Sequence, residues 1–143
     1  MLNIRHTGIV VSDIDKSIKF YCDLLGFEIK KDMHESGEYI DNFSALQDAK
    51  VRTVKMSLEN GDMVELLYYK SHPEKPDFSR PITTIGCSHI ALTVEDLDET
   101  YRHLTDSGVE FNSPPQYSPD GFAKVTFCKD PDGSLVELVQ ELR

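Results

Sequence analysis

The stretch Val11-Ser12-Asp13-Ile14-Asp15-Lys16-Ser17 returns later in the chain as Val94-Glu95-Asp96-Leu97-Asp98-Glu99-Thr100, at an offset of 83. At the same offset His6 falls on His89 and Ile18 on Tyr101. Gly26-Phe27-Glu28-Ile29 then matches Gly108-Val109-Glu110-Phe111 at an offset of 82. Asn60-Gly61-Asp62-Met63-Val64-Glu65-Leu66-Leu67 matches Asp132-Gly133-Ser134-Leu135-Val136-Glu137-Leu138-Val139 at an offset of 72. Three blocks in the same order are not a coincidence of composition. The chain reads as two copies of one module.

Each copy reads as a strand, a helix and then further strands. His6–Val11 and His89–Val94 are short, apolar and rich in β-branched residues, as strands are. Asp13 and Asp96 stand where an N-cap would, each carboxylate able to accept a first-turn N–H. Ile14, Ile18, Tyr21 and Leu25 follow at helical spacing, and Leu97, Tyr101 and Leu104 repeat the stripe. Gly26 and Gly108 suit the left-handed residue that ends a helix. Asn60-Gly61 and Asp132-Gly133 predict hairpin turns before the strands that carry Glu65 and Glu137. The fold class is therefore α+β, two paired β-α-β-β-β modules: residues 1–69, a linker at 70–86 containing Pro73, Pro76 and Pro81, and residues 87–143. Asp32–Lys50 has no counterpart of equal length in the second copy. Within it, Glu38–Gln47 can form a short helix with Tyr39, Ile40, Phe43 and Leu46 as its apolar side, covering a core edge or bordering a substrate pocket.

The composition excludes several classes of function. With 25 Asp and Glu against 15 Lys and Arg among 143 residues, the net charge is −10, which is wrong for a nucleic-acid partner. The 39% hydrophobic and 28% charged fractions suit a soluble globular protein. No apolar run approaches the roughly 20 residues of a membrane span, and the N-terminal residues lack the apolar core of a secretory signal. Cys22, Cys87 and Cys128 are few and widely spaced, which points to buried thiols in a reducing cytoplasm.

The repeat singles out four residues. His6 and His89 occupy one position in the first strand of each copy, and Glu65 and Glu137 one position in the last. A carboxylate flanked by two apolar residues on each side is costly to bury unless it is paired or bound to a cation. Strand alternation puts Met63, Glu65 and Leu67 on one face with His6, Gly8 and Val10, and Val64 and Leu66 on the face under the helices. A lone histidine is ordinarily a hydrogen-bonded core residue, and a lone strand glutamate ordinarily faces water. Their matched places in a duplicated module favour joint service instead. Two neutral imidazoles and two carboxylates suit a divalent cation. His34, His72 and His103 show no such correspondence and read as solvated.

These motifs, His6-Thr7-Gly8-Ile9-Val10-Val11-Ser12-Asp13, Phe20-Tyr21-Cys22-Asp23-Leu24-Leu25-Gly26-Phe27, Ser88-His89-Ile90-Ala91-Leu92-Thr93-Val94-Glu95-Asp96 and Asp130-Pro131-Asp132-Gly133-Ser134-Leu135-Val136-Glu137-Leu138, resemble the vicinal oxygen chelate superfamily. That group includes glyoxalase I, methylmalonyl-CoA epimerase, extradiol dioxygenases and the bleomycin and fosfomycin resistance proteins. The resemblance implies a curved half-barrel sheet and a divalent metal (Ni, Mn, Co, Zn or Fe) held by His6, Glu65, His89 and Glu137. The substrate would be a small molecule that chelates the metal through two neighbouring oxygens. The ligand set is similar to that of bacterial glyoxalase I and the epimerase. The chain departs from both: Val10 stands where the former generally has Arg, and Ser88 where the latter often has a second His. Arg52 and Lys124 could bind a substrate anion, although rim charges are the favoured reading.

The implied chemistry is that of a metal-dependent lyase or isomerase moving a proton at the carbon next to a carbonyl. Glu137 would be the base and Glu65 the second acid–base residue. An Fe(II) dioxygenase of the extradiol type and a binding protein of the antibiotic-resistance type are the competing readings. A homodimer is expected, because modules of this superfamily pair within one chain or between two.

Overall fold

The computed structural model describes residues 1–143. Both predicted caps are in place. Asp13 accepts a hydrogen bond from the Lys16 amide at 3.1 Å, and Asp96 from the Glu99 amide at 2.9 Å, each from an extended backbone. Each helix they open connects the two edge strands of a sheet. The chain divides into two units, Met1–Pro76 and Asp77–Arg143.

The first unit runs β1 (Thr7–Val10), α1 (Ile14–Ile18), β2 (Glu28–Ser36), α2 (Glu38–Ser44), β3 (Lys50–Ser57) and β4 (Met63–Tyr69). The second runs β5 (Ile90–Thr93), α3 (Leu97–Asp106), β6 (Gln116–Tyr117), β7 (Ala123–Lys129) and β8 (Leu135–Glu141). Each unit has one four-stranded mixed sheet, ordered β1-β4-β3-β2 and β5-β8-β7-β6. β1 lies parallel to β4 and β5 to β8, and the remaining neighbours are antiparallel. The two units thus share one topology, α+β, as the internal repeat predicts. His6 and His89 stand one residue ahead of their strands rather than within them.

The two hairpins carry the predicted glycines in the left-handed region, with φ of 90° at Gly61 and 83° at Gly133. In both, the glycine closes a four-residue turn, its amide donating three residues back to Leu58 O or Asp130 O at 2.9 Å. Gly133 has a second constraint: a Cβ there would lie 2.8 Å from Cδ1 of Phe78. Phe78 therefore rests on the β7–β8 turn, although the sequence around it reads as linker. No helix or strand forms over residues 70–89, and no helix in the chain is long and apolar enough to cross a membrane.

Three elements differ from the sequence expectation. The first helix widens into a π-helical stretch over Lys19–Leu24. This turns Phe20 and Tyr21 inward together, 4% and 0% exposed, and leaves Ile18, Leu24 and Leu25 half-buried. The two rings meet edge-to-face at 4.9 Å. β6 is only two residues long beside the nine of β2, since Pro114 and Pro115 interrupt the edge strand after a single bridge at Phe111. The apolar side expected of α2 is split: Ile40 is buried, whereas Tyr39 and Phe43 are exposed. Ile40 packs with Ala49 and Val51, and Leu46, Leu67 and Tyr69 pack against that cluster.

Candidate metal centre

Register decides which side chains share the glutamate faces. In the first unit Gly8 pairs with Glu65 and Val10 with Leu67, and across β3 Lys55 pairs with Glu65 and Thr53 with Leu67. Val64 and Leu66 point the other way, 5% and 0% exposed, on the side where α1 packs against β4. The second unit repeats the scheme: Ala91 and Phe127 flank Glu137, while Val136 and Leu138 are 0% and 1% exposed. The predicted alternation is what both sheets show. α2, through Ile40, covers one end of the Glu65 face at Val51, Leu67 and Tyr69.

Each unit brings one histidine to its glutamate. His6 Nε2 lies 3.7 Å from Glu65 Oε1, and His89 Nε2 lies 3.0 Å from Glu137 Oε2. Glu65 is buried, at 9% exposure, and its other oxygen Oε2 is 3.8 Å from Lys55 Nζ. The Phe127 and His89 rings stand nearly perpendicular, at a centroid distance of 4.9 Å. The pairs fit a metal in one specific respect. Ligand bonds of about 2.0–2.2 Å place two neighbouring ligand atoms about 3.0–3.5 Å apart, and both His–Glu separations are close to that range. The same atoms serve equally for a His–carboxylate hydrogen bond. No group of three or more His, Cys, Asp or Glu side chains is arranged to hold a metal; what each unit brings together is one His and one Glu.

Arg52 and Lys124, considered as anion binders, are committed elsewhere. Arg52 forms a two-point contact with Asp32, at 3.0 Å and 2.8 Å, and lies 3.6 Å from Asp15 of α1. The Arg52 hydrogen bonds hold the Asp32 carboxyl below its ordinary range. Lys124 bonds Asp98 of α3, which raises its pKa. Both cations lie on the helix-bearing faces, opposite the glutamates. A cleft of about 450 Å³ lined by Ile14, Asp15, His34, Arg52 and Tyr68 among others is also on that side. His34 belongs to β2 and is exposed, as are His72 and His103, in keeping with their reading as solvated. The residue that sequence reasoning missed is Lys55. The offset of 72 that matches Glu65 to Glu137 also matches Lys55 to Phe127, so the asymmetry was visible in the repeat.

These features define a class: a duplicated βαβββ module in which a His just before the first strand pairs with a Glu of the last. Residues 3–138 match the Glyoxalase/Bleomycin resistance protein/Dioxygenase superfamily, and the chain belongs to it. A Synechocystis relative named "Probable lactoylglutathione lyase" is 35% identical, with 96% of this chain and 94% of the relative covered. The uncharacterized protein YaeR of Escherichia coli is 28% identical over 96% of this chain and 95% of its own. Among solved structures, a glyoxalase family protein from Bacillus cereus is similar with a TM-score of 0.89 and 25% identity, covering 100% of this chain and 96% of the other.

Proposed function

We propose that this protein is a divalent-metal-dependent lyase or isomerase that moves a proton at the carbon next to a carbonyl of a small substrate. His6, Glu65, His89 and Glu137 are its metal ligands in this reading, one pair from each module, supplied by one chain or by two copies in a homodimer. The observation that carries it is the recurrence of the same His–Glu pair at the same register in both sheets. The relative named as a lyase supports this class over a ring-cleaving dioxygenase. Relatives of similar coverage divide between proteins named lactoylglutathione lyase and uncharacterized ones, and the substrate in the former name is not carried over to this chain.

A divalent cation bound there would act as a Lewis acid on a carbonyl oxygen of the substrate. The chain's own contribution is the proton and its surroundings. Glu137 meets His89 through Oε2 alone, and Oε1 is the atom assigned to take the proton from carbon. Phe127 beside His89 and Leu67 beside Glu65 present apolar surface that limits water around the transferred proton. Glu65 is the second acid–base group.

Solvent exchange tests this without a known product. The protein is loaded with each candidate metal, its metal content is measured, and 2-hydroxy-ketones, hemithioacetals and acyl thioesters are offered in deuterated water. Deuterium is expected next to the carbonyl with the unmutated protein, falling by about 10²–10⁴ in rate with Glu137→Gln at saturating metal. Equal exchange by both proteins places the base elsewhere. Oxygen consumption instead of exchange favours the dioxygenase.

A further inference from the structure

We propose that Lys31 and Lys55 form an anion-binding subsite on the Glu65 face of the first unit, so that the substrate carries a carboxylate or phosphate beyond its metal-chelating oxygens. The inference rests on the proposed function for its location and extends it to substrate class. Lys31 of β2 stands directly opposite Lys55 of β3 in the antiparallel register. Directly opposed side chains have Cβ atoms about 4.5–5.5 Å apart, and like charges there are unfavourable. That both lie on the Glu65 face follows from their neighbours: Lys55 pairs with Glu65 across β3–β4, and Asp32, next to Lys31, reaches Arg52 on the other face. The register shift between Ile29 and Lys31 is a bulge that aims Lys31 this way.

The pairing is unusual for this molecule. Four of its other strand cations are matched to carboxylates, Lys30 to Glu28, Arg52 to Asp32, Lys124 to Asp98 and Lys129 to Glu110, whereas Lys50 at the start of β3 is without an ion pair and faces no second cation across the strands. With 25 acidic residues against 15 basic ones, a partner for every lysine is easily supplied. Lys31 nevertheless has no ion pair, and Lys55 reaches only Glu65, at 3.8 Å, beyond hydrogen-bond length. An anion between the two ammonium groups would relieve their repulsion and receive charge-assisted hydrogen bonds. Thr53 and Ser57, on the same face of β3, add hydroxyls beside it. The second unit has Phe127 in place of Lys55, so the subsite exists in one module only and would orient an otherwise symmetric site.

Matched probes test the idea. Dihydroxyacetone and its phosphate offer the same neighbouring oxygens and differ by a phosphate; hydroxyacetone and hydroxypyruvate make the comparison for a carboxylate. Calorimetry is run with metal-loaded and metal-free protein, with metal uptake measured separately on the same samples. The unmutated protein is expected to bind the charged member about tenfold tighter or more. Lys31→Met, on an exposed residue, and Lys55→Met should bring that ratio toward one, whereas Lys55→Arg should keep it. A lysine that only neutralises Glu65 would change metal uptake and leave the ratio alone. No preference for either charged probe, or a ratio unchanged in both Met variants, overturns the subsite even where metal binds normally. A lysine-dependent preference in protein that takes up no metal supports the subsite and refutes the metal reading alone.

Discussion

Glu65 and Glu137 hold matching positions and have different neighbours. Glu65 divides its oxygens between His6 and Lys55, and Glu137 has His89 and, beside that ring, the apolar Phe127. If Glu137 is the base, Glu65→Gln is expected to be the milder lesion in turnover at saturating metal, and rate measurements on both variants check the order. The four ligand-type residues were legible because the repeat matched them. Arg52 was not: its partners Asp32 and Asp15 come from another strand and a helix, and nothing in its own strand announces them. The cysteines give a prediction at this scale. All three are free thiols, and burial pushes Cys128 up to about 12. Its thiol stays protonated through pH 9, so an excess of thiol reagent should modify Cys128 only on unfolding. Cys22 and Cys87, half-buried, should react before it; mass spectrometry of the labelled native protein reads the order.

At the scale of elements, local signals succeeded where one residue sufficed and failed where packing decided. The Asp caps and the hairpin glycines act through their own backbone, so their positions could be read from the chain. The π-helical stretch could not, because a period of 3.6 was assumed and the inward turn of both Phe20 and Tyr21 depends on the sheet they meet. The exposed side of α2 is a similar case: a short helix buries Ile40 alone, and Tyr39 and Phe43 stay exposed. The caps support a quantitative expectation. Asp96→Ala removes the 2.9 Å acceptor of the Glu99 amide and should cost about 1 kcal/mol, a fall of about 3 °C in Tm. Asp96→Asn should recover most of it, and denaturant titration of the three proteins measures the difference.

At the scale of the molecule, duplication explains both what was readable and what was not. One module repeated twice predicts one topology repeated twice, and the sheet orders agree. In the proposed metal reading, which pair completes each site is a separate matter, since two half-sites can be joined within a chain or between chains. Subunit mixing decides it. A His6→Ala chain has a defective first pair and an intact second; a Glu137→Ala chain has the reverse. In a dimer whose sites take one pair from each chain, the heterodimer combines the intact Glu65 and His6 of one with the intact His89 and Glu137 of the other. The homodimers of either variant have no complete site, so random mixing should return about a quarter of the unmutated protein's metal content and exchange activity. Sites built within single chains would return none, because every chain in the mixture has one damaged pair. Mass spectrometry of the mixture establishes that subunits have exchanged, so that a null result is informative and assigns the site to the single chain.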